Sequence, residues 1–193
     1  MTVITISRQL GSLSSEISRM TAEKLGYRLV WREVINQAAR LAGAPEVALA
    51  EIDEFGILGV EPSPEAERDY LQAVQKVIID LAEEGNVIIL GRAGQIILAG
   101  RKNTLHVRLV APQDIRIARV AARLNIPLEA ASAQVRASDR HRKAYLKRGY
   151  QIDWNDPDLY DLIINTANLS VETASFLICS TVIDRFQEKS IVQ

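Results

Sequence analysis

The chain has 193 residues, 48% of them apolar and 24% charged, with a net charge of −1, one cysteine and two histidines. That is enough chain for one domain with a sizeable core, and it excludes a disulfide scaffold or a cysteine-based zinc site. Apolar runs such as VIIL (87–90) are far too short to span a bilayer, and core-type residues follow Met1 almost at once, so neither a membrane span nor a signal peptide is expected. A reducing, cytoplasmic setting is the expectation.

The charge is unevenly spread. Between Glu46 and Glu84 there are eleven acids and two bases, Arg68 and Lys76; between Arg92 and Arg148 there are thirteen bases and three acids, Asp114, Glu129 and Asp139. Arginine outnumbers lysine 17 to 6. A guanidinium grips phosphate oxygens in pairs, so the excess leans towards anion handling. The plainer reading, helices with solvated faces, covers most of these residues.

Taken in order, VITIS (3–7) predicts a strand, and Ile17, Met20 and Leu25 fall near helical spacing before Gly26, a fitting stop. YRLVW (27–31) predicts a short strand. Weaker helical segments near 33–42 and 45–54 lead into EFGILGVEPSP (54–64), which carries the glycine and proline of a connection. An amphipathic helix over 65–84 has Ala66, Tyr70, Val74, Val77, Ile78 and Leu81 on one side. VIIL is unbroken, as suits a parallel strand covered on both faces.

TLHVRLV (104–110) predicts another strand, followed by a helix with Pro112 in its first turn and a basic helical region over 128–148. A loop, the strand YDLIIN (160–165) and a helix capped by Ser170 and reaching about Glu188 complete the chain. Strands alternating with helices predict an α/β fold: a parallel sheet with helices on both faces, in three layers.

In such sheets ligands bind at the carboxyl ends of the strands, where helix N-termini present free N–H groups. ITISRQLGSLSSEI (4–17) puts a small-residue turn there. Laid over G-x-x-x-x-G-K-[ST], Arg8 and Leu13 fall on the two glycines, Ser14 on the lysine and Ser15 on the Ser/Thr. Gly11, Ser12 and Ser15 suit an anion loop, while a side chain at Leu13 restricts the backbone. On the loop alone, a plain strand–helix turn is slightly the better reading.

The pieces ISRQ-x-GS, AEKLGYR, ILGRAG, LHVRLVAP, SDRHRKAYLK and DWNDPDLYDLIINT occur in one order over about Val3 to Ile183. In that order and spacing the chain resembles the cytidylate kinase-like family, a branch of the P-loop nucleoside monophosphate kinases. The resemblance implies one P-loop kinase-type domain over 1–193, with an acceptor-binding helical insertion at about 32–64 and an arginine-rich lid at about 137–157. It implies ATP as donor, Mg2+ with Ser15 in its shell, and a nucleotide or other small phosphate acceptor, CMP being one candidate.

Gly11, Ser12, Ser14 and Ser15 would cradle the donor phosphates, with Arg8 or Arg19, Arg8 being the better placed, supplying the charge of the missing lysine. Arg92 matches the arginine of a GRD motif that holds the acceptor phosphate, and Ala93 stands where the aspartate would be. Arg136, Arg140 and Arg142 resemble the lid arginines that neutralise charge in transit, with Asp139 placed to orient a neighbour. Trp31-Arg32-Glu33 replaces the D-T-G that follows the second strand in cytidylate kinases. Asn165 and Thr166 fall near the donor base, while His106 and Trp154 read as packing groups.

The alternative is a catalytically inactive relative that binds a nucleotide as a sensor or partner-binding protein. Nucleic-acid binding through the basic stretch ranks last, because that stretch lacks interleaved aromatics. A homodimer is left open.

Overall fold

The computed structural model describes residues 1–43 and 63–186. Five parallel strands, β1 (Val3–Arg8), β2 (Arg28–Val30), β3 (Val87–Leu90), β4 (Thr104–Val110) and β5 (Leu162–Asn165), lie in the order β2-β3-β1-β4-β5. The described helices are α1 (Ser14–Leu25), α2 (Arg32–Ala42), α3 (Pro64–Glu84), α4 (Gly94–Ile97), α5 (Gln113–Leu124), α6 (Leu128–Tyr150) and α7 (Val171–Phe186). The expected segment 45–54, the connection 54–62 and the last residues of the final helix lie outside the described residues, as does most of the insertion expected at 32–64. Among the described residues no helix is long and apolar enough to cross a membrane.

The boundaries have local causes. Gly26 ends α1 in the left-handed conformation, its N–H turned back to the Ala22 and Glu23 carbonyls. The Ser63 hydroxyl accepts the Ala66 N–H at the start of α3, and the Ser170 hydroxyl accepts that of Thr173 before α7. The last strand begins at Leu162, two residues later than YDLIIN suggests. Asp161 is occupied otherwise: its carboxylate accepts the His106 N–H at 2.7 Å and pairs with Arg185 at 2.7 Å.

Alternation along the strands divides the core. Ile4, Ile6, Ile88, Leu90, Leu105, Val107 and Leu109 face Ile17 of α1 and Ala174, Ile178 and Val182 of α7. On the other face Val3, Val87 and Ile89 meet α2 and the Tyr70, Val74, Val77, Ile78 and Leu81 side of α3. Each fully buried aliphatic side chain here contributes about 1.5–3 kcal/mol. All four residues of β3 are buried, as the unbroken apolar run requires.

Towards the carboxyl ends of β1 and β4 the second face turns polar. The Thr5 hydroxyl meets His106 Nδ1 at 2.8 Å, and Trp154 donates its indole N–H to the Ser7 hydroxyl at 2.9 Å. The Arg108 guanidinium lies buried between the Trp154 and Tyr160 rings, 4.7 and 5.2 Å from their centroids. It donates to the Asn155 side-chain oxygen at 2.7 Å and to the Trp154 carbonyl. Trp154 and His106 are thus packing groups of this layer.

Burial lowers the His106 pKa, and the Asp161 carboxylate offsets only part of that shift. The unfolded chain therefore binds a proton that the folded chain resists, so stability is full above about pH 6.5 and falls as pH drops through the folded pKa. Asp161 itself is held below the usual carboxylate range: burial opposes this, but the His106 N–H and Arg185 outweigh it, so its own loss comes only at lower pH. We expect His106→Gln to flatten the decline in urea midpoint between pH 7 and pH 5, and an unchanged slope would remove His106 as its source.

Candidate functional site

The turn after β1 is closed from both ends. The Gln9 N–H donates to the Leu109 carbonyl and its side-chain oxygen accepts the Ala111 N–H at 3.1 Å, so the turn follows the end of β4. Both the N–H and the hydroxyl of Ser12 donate to the Gln9 carbonyl. Gly11 has φ +84°, and a Cβ there would sit 2.7 Å from the Arg116 carbonyl oxygen, so this approach requires glycine. Leu13 takes φ +58° and stands before α1 without capping it, which leaves the first-turn N–H groups of α1 without a side-chain acceptor. That conformation costs a leucine about 1–2 kcal/mol. Its side chain packs against the core beneath α1.

A second strained turn follows β3. Gly91, Arg92 and Ala93 all have positive φ, at +86°, +54° and +57°. Ala93, where the motif would carry an aspartate, is buried against Tyr145, Leu146 and Trp154, surroundings in which a lone carboxylate would be costly. Gly91 lies directly beneath the Arg8 guanidinium, in the space a Cβ would take.

Between these turns lies a cavity of about 450 Å³. Of the residues expected from sequence, Arg8, Gly11, Ser14, Ser15, Arg92 and Arg142 line it. Arg8 stands over the Trp31 ring at 5.3 Å, Arg92 stands over Tyr145 at 5.4 Å, and Arg142 donates to the Arg8 carbonyl at 2.6 Å. Ser12 is fully buried, with its hydroxyl turned into the loop rather than into the cavity.

Arg136 and Arg140 are exposed and neither lines the cavity, contrary to the expected trio. The buried positions Ala131, Val135, Ser138 and Tyr145 form the stripe by which α6 docks. Two residues either side of Ser138 lie roughly 160° round the helix, so Arg136 and Arg140 do share a face, but the outer one. α6 also continues without a break through residue 137, where the lid is expected to begin.

Several residues at the site were not singled out from sequence. Arg32 lines the cavity 4.9 Å from the Trp31 ring, and Arg119 and Arg123 enter it from α5. Arg116, on the same helix, is buried and makes a two-pronged ion pair with Asp139 at 2.8 and 3.1 Å. Asp139 therefore orients an arginine, though not one of its own helix. Arginines at 116, 119 and 123, three and four apart just beyond a strand's carboxyl end, were the signal available. Arg101, in the loop before β4, donates to the Ala82 carbonyl at 3.1 Å.

The described residues contain no group of three or more His, Cys, Asp or Glu able to hold a metal. The residues lining the cavity do include Ser15 and Glu16, on the first turn of α1. This donor set fits Mg2+ as it binds with a nucleotide, through one or two protein oxygens, phosphate oxygens and water.

A parallel sheet in this order, with a wrapped turn and an uncapped helix start after its first strand and arginines arriving from other stretches, defines a P-loop kinase-type α/β fold. Solved structures share it. A protein from Eubacterium ventriosum, 21% identical, matches with a TM-score of 0.76 over 96% of this chain and 100% of its own. A gluconokinase from Sinorhizobium meliloti, 14% identical, matches with a TM-score of 0.61 over 95% and 92%. In sequence, a cytidylate kinase from Pyrococcus horikoshii is 36% identical over 185 residues, 94% of this chain and 88% of its own length. The model of the cytidylate kinase-like family matches residues 3–168, and the chain belongs to that family.

Gly91→Ala tests the second turn. The left-handed conformation should cost about 1–2 kcal/mol of stability, and the new methyl should displace Arg8. A urea midpoint equal to that of the unsubstituted chain would contradict the strain assigned here.

Proposed function

We propose that the cavity binds ATP beside a phosphate-bearing acceptor and that the protein acts as a nucleoside monophosphate kinase, with CMP the first acceptor to test. The observation that carries this reading is the meeting of Arg8 from β1, Arg92 from the turn after β3 and Arg142 from α6 in one wall beside the uncapped start of α1. Phosphoryl transfer asks a protein mainly for placement and for positive charge around the moving group. The 32–64 and 137–157 stretches would supply the acceptor side and the cover.

In this reading the backbone around Gly11, Ser14 and Ser15 and the Arg8 guanidinium hold the donor phosphates, and Arg92 holds that of the acceptor. Arg142 faces the charge that builds up between them. Ser15 and Glu16 would hold Mg2+ together with the nucleotide, and the ion would further neutralise phosphate charge. Arg136 and Arg140, on the outer face of α6, take no part.

One observation favours the second reading, an inactive nucleotide-binding relative. Ser14 occupies the lysine position in the cavity wall, so charge must come from arginines on other elements. The two readings part in a coupled assay with ATP, Mg2+ and a panel of nucleoside monophosphates, run beside ATP titration. A kinase turns over at least one acceptor, loses about 10³-fold or more in Arg142→Ala by analogy with other transition-state arginines, and loses use of the acceptor in Arg92→Ala. Binding without turnover on every acceptor leaves the second reading. Unchanged ATP affinity in Arg8→Ala removes Arg8 from the donor site, and no nucleotide binding by the unsubstituted chain ends both readings.

A further inference from the structure

Three consecutive carbonyls of the turn after β1 each accept a hydrogen bond from outside it. The Leu10 carbonyl accepts from Arg116 Nη1 at 3.3 Å and the Gly11 carbonyl from Arg119 Nη1 at 3.3 Å. The Ser12 carbonyl accepts from the Thr166 hydroxyl at 3.2 Å, whose proton it shares with the Val110 carbonyl at 3.3 Å. The donors are joined in turn. Arg119 donates to the Thr166 hydroxyl at 3.1 Å and to the Thr166 carbonyl at 2.7 Å, while Arg116 is fixed by Asp139 and the Ala111 carbonyl. Arg116 and Thr166 are both buried, and neither lines the cavity.

A trans peptide sets each C=O and the next N–H on opposite sides. Holding the Leu10 and Ser12 carbonyls outward therefore turns the Gly11 and Leu13 N–H groups the other way, and both residues stand in the cavity wall. In a glycine-rich loop the backbone reaches such an arrangement without steric cost. This loop has Leu13 where glycine would make it easy, and Leu13 sits in the left-handed region all the same.

We infer that Arg116, Arg119 and Thr166 are positioning residues that impose the anion-binding shape on a loop whose own sequence does not favour it. They act through main-chain carbonyls, Arg116 and Thr166 from outside the cavity and Arg119 from its wall. The loop's affinity for phosphate then depends on α5 and on the residue just beyond β5, both distant in sequence. That consequence for affinity rests on the nucleotide-binding reading above; the anchoring itself does not, because it consists of hydrogen bonds within the chain.

Thr166→Val removes the hydroxyl with little change of shape, and Arg119→Gln removes the paired donors. Amide exchange is measured on the unliganded chain for residues 9–16, with β3 as internal reference, followed by ATP titration in the presence of Mg2+. Losing one such bond should speed exchange over 9–16 by about three- to tenfold, leave β3 unchanged, and weaken ATP binding by a similar factor. Thr166→Ser, which keeps the hydroxyl, should restore slow exchange. Unchanged exchange over 9–16 in both variants overturns the inference; an affinity loss confined to Arg119→Gln would then mark a direct contact with the nucleotide. A uniform rise over every segment also counts against it, since that reports global destabilisation. Faster loop exchange in a chain that binds no ATP would support the anchors and sink the nucleotide reading instead.

Discussion

The site end of this molecule depends on one kind of bond, an arginine guanidinium donating to main-chain carbonyls. Arg116 holds those of Leu10 and Ala111, Arg119 holds Gly11, Thr166 and Ala167, and Arg142 holds Arg8. Arg108 does the same for Trp154. A carbonyl left unpaired in a buried loop costs roughly 1–3 kcal/mol, and loops have no ladder neighbours to satisfy them. A planar cation with five donors can satisfy several at once and tie together segments that never pair as strands. Part of the surplus of arginine over lysine is therefore architectural.

The two faces of the sheet divide this labour. Beneath α1 and α7 the strands present an apolar face that packs against the two helices. On the opposite face β1 and β4 change to Thr5, Ser7, His106 and Arg108 as they near the site. That polar half-face is closed by Trp154 and Tyr160, whose rings sandwich Arg108 and whose donors meet at the Ser7 hydroxyl. Burial pushes the Tyr160 hydroxyl pKa up, so it remains a proton donor throughout the neutral range. The cost of burying polar groups is offset here because each has a partner.

Strands and helix ends were legible because their causes are local: unbroken apolar runs, the spacing along α3, Gly26 as a stop, and Ser170 as a cap. The place of Arg92 in the cavity wall was legible because it follows a buried strand directly, at the carboxyl edge of a parallel sheet. Arg136 and Arg140 show the limit of such reasoning. Helical spacing says that they share a face, but which face docks was decided by Ala131, Val135 and Ser138, small or apolar residues beside which the arginines looked the stronger signal. The anchors were hidden for another reason. Arg119 and Gly11 are 108 positions apart, and a side chain bonded to a carbonyl leaves no mark on the sequence of its acceptor. Leu13 read as an obstacle to the turn, and the structure answers with a leucine in the left-handed region braced from outside.

The placing of Arg142 has a mechanical corollary. It lies three residues, about 4.5 Å of helix rise, beyond Asp139, which is clamped to Arg116, and twelve residues before Trp154, which is fastened to Ser7. An arginine slung between two such moorings swings through a short arc only. Its charge is thereby held at a preset spot in the cavity wall.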